Sequence, residues 1–222
     1  TTMNIARLTF NPFQENTYKF LEPGGQCIII DAGNYSAGEA RTLLQTINER
    51  GLKPVMALNT HGHIDHILGV EYVKETFGAP FALHSDDHFL VETAGTHGAL
   101  YGFQVKAIPS PDSDLKGMQE IMLGEYRLQL IHTPGHTPGH VCIYHEESKT
   151  LFTGDTLFKE SIGRTDLPGG DYSWIMRSIL DKIIPLGGEV TFYPGHGPSS
   201  TIGHEVLYNP FITEVVGGEV NL

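Results

Sequence analysis

The sequence predicts an α/β fold in four layers, two mixed sheets packed face to face with helices outside, and three observations predict it. Short apolar runs alternate with amphipathic segments of helical period. Strand and helix signals occur in both halves of the chain. No Ser/Gly linker, low-complexity tract or long charge run divides the 222 residues, so one domain, 1–222, is expected. Periodicity alone also accommodates a single mixed sheet.

Residues 4–10 and 17–21 read as the strands of a hairpin. Gln26-Cys-Ile-Ile-Ile-Asp31 is an apolar run closed by a polar residue, the pattern of a buried strand. Residues 38–50 form an amphipathic helix with Ala40, Leu43, Leu44 and Ile47 on one face and Gly51 past its end. A strand over 55–59 and a helix over 67–77, closed by Gly78, continue a β-α-β-α rhythm. Residues 81–83 give a short strand, Ser85 or Asp86 starts a helix, and Pro109-Ser-Pro-Asp112 is loop. Antiparallel signals follow at 119–123, 126–132, 140–145 and 150–153, the last two joined by a Glu-Glu-Ser-Lys turn. After a Gly-rich loop at 162–170, Asp171 caps a helix with Trp174, Ile175, Ile179, Leu180 and Ile183 at helical spacing. Strand 190–193 and a final short helical stretch end the pattern.

Lys and Arg number 14 against 26 Asp and Glu, a formal net charge of −12. So acidic a chain disfavours nucleic acid and anionic membrane as partners. Cys27 and Cys142 fit neither a Cys-x-x-Cys nor a zinc-finger spacing and suit a reducing compartment. No signal-peptide pattern opens the sequence and no apolar run reaches about 18 residues, so a cytoplasmic location is expected. The unusual count is 12 His, nearly as many as Lys and Arg together.

These histidines cluster. Thr60-His-Gly-His-Ile-Asp-His66 lies between a strand and a helix and sets three imidazoles and a carboxylate within six residues. Neutral imidazole and carboxylate are the usual ligands of zinc, and they suit iron and manganese too. Further donors stand at predicted strand ends: His132-Thr-Pro-Gly-His136, Phe152-Thr-Gly-Asp155 and Tyr193-Pro-Gly-His196. A glycine beside each lets the chain turn sharply toward a shared centre. Seven donors for two metals, one oxygen being shared, leave an open position on each ion, which is a catalytic count.

His-x-His-x-Asp-His, then Thr-Pro-Gly-His, Gly-Asp-Thr-Leu-Phe and Gly-His-Gly, in that order across residues 26–210, resembles the metallo-β-lactamase superfamily, and within it the hydroxyacylglutathione hydrolase (glyoxalase II) branch. The resemblance implies an αββα sandwich. It also implies that His61, His63 and His136 hold one metal, that Asp65, His66 and His196 hold a second, and that Asp155 bridges them. Two divalent ions, zinc by expectation with iron or manganese as alternatives, bring the pKa of a shared water from about 15.7 toward about 7. A bridging hydroxide then attacks the acyl carbon of a thioester such as S-lactoylglutathione, with Asp65 orienting the water and Asp155 joining the ions. A leaving thiolate, already stable near neutral pH, needs a dedicated general acid less than an amide's leaving group does.

Around this centre, Gly163-Arg-Thr-Asp-Leu-Pro-Gly-Gly170 should form a rim. Arg164 is a candidate clamp for a substrate carboxylate, the alternative being a salt bridge to Asp166. Tyr193 and Phe13 are candidate pocket residues. His140 reads as a neighbour of the ligands, or as a ligand if the loop is drawn differently. His84, His88, His97, His132, His145 and His204 read as surface or supporting residues. Full-length glyoxalase II enzymes carry basic residues in a helical region beyond the segment matching Tyr208-Asn-Pro-Phe211; here Ile212-Thr-Glu-Val follows, so the chain looks like the shorter members with different acyl substrates. A mononuclear iron persulfide dioxygenase shares the early His set and a Gly-Arg-Thr-Asp loop and is the alternative enzyme. A non-catalytic metal-binding regulatory protein is the alternative of another class.

Overall fold

The computed structural model describes residues 5–105 and 107–219. Asn4, the first residue of the expected first strand, lies outside the described residues. Strands β1 (Ile5–Phe10), β2 (Glu15–Leu21), β3 (Gln26–Ile30), β4 (Lys53–Leu58), β5 (Phe81–Leu83) and β6 (Ser113–Asp114) lie side by side in that order. The first three pair antiparallel and the rest parallel. The second sheet takes β7 (Glu120–Leu123), β8 (Tyr126–His132), β9 (Val141–His145) and β10 (Thr150–Gly154). After a small pair, β11 (Leu157–Phe158) and β12 (Ser161–Ile162), come β13 (Thr191–Pro194) and β14 (Ser200–Thr201), and this sheet's order is β14-β13-β10-β9-β8-β7. Its β10–β13 pairing is parallel, so both sheets are mixed.

The layers follow from where alternate residues of one strand go. On β3, Cys27 and Ile29 meet Leu43 and Ile47 of helix α1 (Ala37–Glu49) and Val70 and Val73 of α2 (Val70–Phe77). Ile28 and Ile30 face the other way and pack with Leu128, Leu130, Ile143 and Phe152 of the second sheet. On β9, Val141 and Ile143 join that middle core. Cys142 and Tyr144 turn outward, and Ile175 of α5 (Tyr172–Ser178) and Ile202 of α6 (Ile202–Tyr208) lie in the same cluster. Helix, sheet, sheet and helix thus stack in that order, the four-layer expectation, and the single-sheet alternative is ruled out. Strands buried on both faces carry continuous apolar runs rather than alternation, which is why the sequence left both arrangements open.

Local signals behave as the chemistry requires. Ser36 caps α1 by accepting from the Glu39 amide at 3.1 Å, and Gly78 ends α2 in a left-handed conformation, φ 66°. The expected 67–77 helix is shorter at its start: Ile64–His66 is a 3-10 turn, and α2 begins after Gly69. Trp174 is exposed, whereas Ile175, Ile179 and Ile183 point into the outer core and Leu180 packs against it. Helices α3 (His88–Glu92) and α4 (Ala94–Leu100) fill the region where one helix start was expected. No described helix is long and apolar enough to cross a membrane.

Candidate metal centre

The site forms where the two sheets end together. His61 to His66 follow β4, His136 lies between β8 and β9, Asp155 follows β10 and His196 follows β13. The Asn16 amide donates to the Gly195 carbonyl at 2.7 Å and Glu15 makes a bridge with His196, so β2 fastens the two halves at this edge. Gly154 adopts φ 50°, and a Cβ at Gly195 would collide with Asp155 Oδ1 and His66 Cε1. Those two glycines are what let carboxylate and imidazole come this close.

Seven predicted donors converge. His61, His63 and His136 form one group, and Asp65, His66, Asp155 and His196 another, each with donor atoms within 4.8 Å of one another. Asp155 Oδ2 lies 3.6 Å from His61 Nε2, 3.2 Å from His66 Nε2, 3.4 Å from His136 Nε2 and 3.5 Å from His196 Nε2. One carboxylate oxygen therefore faces imidazoles of both groups. His63 Nδ1 is 2.9 Å from His136 Nε2, and Asp65 Oδ2 is 2.9 Å from His196 Nε2.

The opposite ring edges explain why four of these nitrogens face inward. His136 Nδ1 donates to the Arg164 carbonyl at 2.7 Å and His196 Nδ1 to the Phe13 carbonyl at 3.1 Å. A carbonyl only accepts, so Nδ1 carries a proton and Nε2 is the nitrogen turned to the cluster, where it faces carboxylate oxygen and becomes a metal ligand once a cation displaces its proton. Asp31 accepts from His66 Nδ1 at 2.9 Å and from the Thr60 hydroxyl at 2.7 Å. That hydroxyl, having donated to Asp31, accepts from His61 Nδ1 at 2.9 Å. Such acceptors behind metal-binding imidazoles fix their tautomer and raise their basicity.

The electrostatics suit a cation. Burial, reinforced by the charge on His66, holds the His61 imidazole well below its ordinary pKa. Burial and neighbouring His136 bring His63 down to about 3, so both rings offer lone pairs. Burial works to raise Asp155, but the His66 charge and hydrogen bonds from His136, His196 and His66 carry it well below the usual carboxylate range. Asp65 is lowered too, against its burial, chiefly by His66. Burial opposes charge on His66, yet Asp155, Asp65 and Asp31 raise it well above the usual range, and hydrogen bonds to Asp155 and Asp65 raise half-exposed His196 to about 10. Buried carboxylates need such balancing positive charge, from protons or from a metal that displaces them. His61 Nε2 and Asp155 Oδ1 are buried with no hydrogen-bond partner. Unsatisfied donor atoms inside a carboxylate–imidazole cluster are what divalent-metal ligands look like before the ion is counted.

His140, the residue with two readings, is fully buried and outside both donor groups. Its Nε2 accepts from the Asp155 amide at 3.1 Å and its ring stacks on His61 at 5.0 Å, so it holds Asp155 in place. Arg164 lines the cavity over the cluster, but its Nε and Nη2 donate to Asp166 at 2.7 and 2.8 Å. The salt-bridge alternative is the arrangement found. Phe13 lines the cavity, whereas Tyr193 does not: β13 turns it into the middle core against Tyr18 and Phe152. A further group, His84, Asp86 and His132, also falls within the same span. Its two rings stack 4.7 Å apart with planes at 12°, so their in-plane lone pairs do not converge, and Asp86 pairs with Lys116 at 3.1 Å.

Sequence reasoning missed two supporting carboxylates. Asp31 ends the apolar run of β3, a visible signal without a visible role. Buried Asp87 accepts from the Gly62 amide at 3.1 Å, the Thr137 hydroxyl at 2.7 Å and the Gly139 amide at 2.7 Å, tying the His61–His63 loop to the loop after His136. Nothing in the sequence separates it from Asp86.

Comparison with known proteins agrees with this fold. A model of the metallo-beta-lactamase superfamily matches residues 11–205. The hydroxyacylglutathione hydrolase GloC of Haemophilus influenzae is 37% identical over 212 residues, covering 95% of this chain and 98% of that protein. A crystal structure of BLEG-1 B3 metallo-beta-lactamase superposes with a TM-score of 0.87 at 35% identity, over 94% of this chain and 99% of the other. TTHA1623 in a di-iron-bound form gives 0.83 at 36% identity, over 93% and 99%. The chain belongs to the metallo-beta-lactamase superfamily. It is a metallo-hydrolase of that superfamily, with a His/Asp cluster suited to divalent metal.

Proposed function

We propose that the protein hydrolyses acyl thioesters at a two-metal centre. His61, His63 and His136 hold one divalent ion, Asp65, His66 and His196 the other, and Asp155 serves both. The observation that carries this reading is the placement of Asp155 Oδ2 within 3.6 Å of imidazole nitrogens from both groups. Zinc is the expected metal; the di-iron form of TTHA1623 keeps iron as the alternative. Bound there, the two ions supply an acidified water and positive charge where an acyl oxygen turns negative.

The chain's own groups supply the rest. Asp65, held ionised, lines the cavity and is placed to accept a hydrogen bond from the attacking water and orient it. Water adds to the acyl carbon, the C–S bond breaks, and carboxylic acid and thiol leave. The thiolate is stable near neutral pH, so no general acid is required. Neither cysteine competes as nucleophile: both are buried, and burial pushes the Cys27 and Cys142 thiols up to about 11 and about 12. GloC, by its name a hydroxyacylglutathione hydrolase, supports the thioester class.

The test is thiol release from S-lactoylglutathione and from simple acyl thioesters by protein loaded separately with zinc, iron and manganese, with a β-lactam in parallel. Turnover of thioesters on the order of 1–10³ s⁻¹, abolished by chelator and restored by metal, is the expected result. Fully loaded protein that releases no thiol from any thioester overturns the reading. Silence toward every substrate would favour a regulatory metal-binding role, and turnover of the β-lactam alone would favour the activity in the BLEG-1 name.

A further inference from the structure

The cavity over the donor cluster has a volume of about 490 Å³, within the size range that encloses a small organic ligand. Its lining beyond the donors includes Phe13, Ile64, Leu90, Tyr101, Phe158 and Leu167. Hydrolysis alone does not require such a wall.

The wall is built rather than incidental. The Phe13 ring meets Tyr101 edge-on at 5.4 Å and 83°, and Phe103 at 5.2 Å and 78°. Phe103 is in turn braced by Tyr35 at 5.0 Å and 79°. Despite this bracing, Phe13 stays 38% and Tyr101 44% exposed, an apolar surface that folding leaves open. The Phe13 carbonyl accepts the His196 Nδ1–H at 3.1 Å. One residue thus fixes both a donor of the centre and the apolar surface beside it, which sets the wall in register with the reacting bond.

Charge points the same way. Among the described lining residues Arg164 is the single Lys or Arg, and its guanidinium is engaged by Asp166 through two hydrogen bonds. The pair adds no net charge. A glutathione moiety carries two carboxylates and an ammonium, and the cavity offers those carboxylates no uncommitted guanidinium or ammonium.

We propose that this cavity selects its substrate by an apolar acyl group, aryl or branched alkyl, docked on Phe13, Tyr101 and Leu90, while the thiol carrier makes no charged contact inside it. For the reaction this rests on the thioesterase reading; for the binding it does not, and the test separates the two. Phenylacetyl and lactoyl esters are made on glutathione and on the uncharged thiol N-acetylcysteamine, and kcat/KM is measured with metal-loaded protein. Changing lactoyl to phenylacetyl should raise kcat/KM tenfold or more, by about the discrimination a hydrophobic pocket gives a small apolar group, whereas changing the thiol should alter it by less than about threefold. In parallel, calorimetry compares phenylacetate with lactate, expecting tenfold tighter binding of phenylacetate with a negative heat-capacity change. Phe13→Leu and Tyr101→Ala, both at partly exposed positions and checked for fold by circular dichroism, should bring both ratios toward unity. Equal or better use of lactoyl, a tenfold gain from glutathione, or a preference that survives both substitutions overturns the proposal. If no thioester turns over but phenylacetate still binds preferentially through Phe13 and Tyr101, the thioesterase reading fails and this one stands.

Discussion

Asp155→Ala is expected to lower thioesterase kcat/KM by about 10³-fold and to reduce the metal content from two ions per chain to one or fewer. Its Oδ2 stands among four imidazole nitrogens, and its Oδ1 is buried without a partner. Removing the carboxylate leaves those imidazoles with no common anion and the two sites with no shared ligand. A metal centre that stabilises a transition state is worth several kcal/mol, and each 1.36 kcal/mol is tenfold in rate, so ~4 kcal/mol gives the stated loss. The backbone survives the change, because the Asp155 amide donates to His140 Nε2 at 3.1 Å whatever the side chain is. Asp155→Asn, which keeps the shape and loses the charge, separates charge from packing. Metal content and kcat/KM within about threefold of the parent in both variants would remove Asp155 from the centre.

The second large effect concerns the two carboxylates behind the donors, and its signature is that Asp31 stands behind a ligand of each ion whereas Asp87 braces one ion alone. Asp31 accepts from His66 Nδ1 and from both the amide and the hydroxyl of Thr60. Asp31→Asn sets an amide N–H against an imidazole N–H, or gives up a Thr60 contact to avoid it. Asn tolerates the backbone at this position, φ 56°, so the damage falls on His66 and, through the Thr60 hydroxyl, on His61. Asp87→Asn weakens the clasp on Gly62, Thr137 and Gly139, which flanks His61, His63 and His136. Losing an outer partner of a ligand costs about 10–100-fold in metal affinity. Competition with a chromophoric chelator should show that loss for both ions in Asp31→Asn and for the His61, His63 and His136 ion alone in Asp87→Asn. Equal weakening of both ions by Asp87→Asn, or no weakening by either variant, contradicts the assignment.

How much of this was legible in the sequence depended on whether the information was local. The segment His61 to His66 announced itself because four donors fall within six residues. Asp155 and His196 were found because each follows a strand and a glycine. Asp31 was visible as the polar end of an apolar run, but its bond to His66 depends on the parallel pairing of β3 with β4, which periodicity does not encode. Asp86 and Asp87 are adjacent and of one type; the first pairs with Lys116 at the surface and the second is fully buried between two loops. Helix α4 carries two glycines in Ala-Gly-Thr-His-Gly-Ala-Leu, a composition of low helix propensity that tertiary packing overrides. Tyr193 sits three residues from His196, but residue alternation along β13 sends its ring into the middle core, away from the cavity.

The proposed centre holds two cations side by side, and anomalous diffraction from crystals of the metal-loaded protein, with elemental analysis of the same sample, measures that directly. The expected result is two divalent ions per chain, one among His61, His63 and His136, one among Asp65, His66 and His196, with Asp155 touching both. A single iron per chain in protein that consumes oxygen and releases no thiol from thioesters would contradict it and favour the dioxygenase instead.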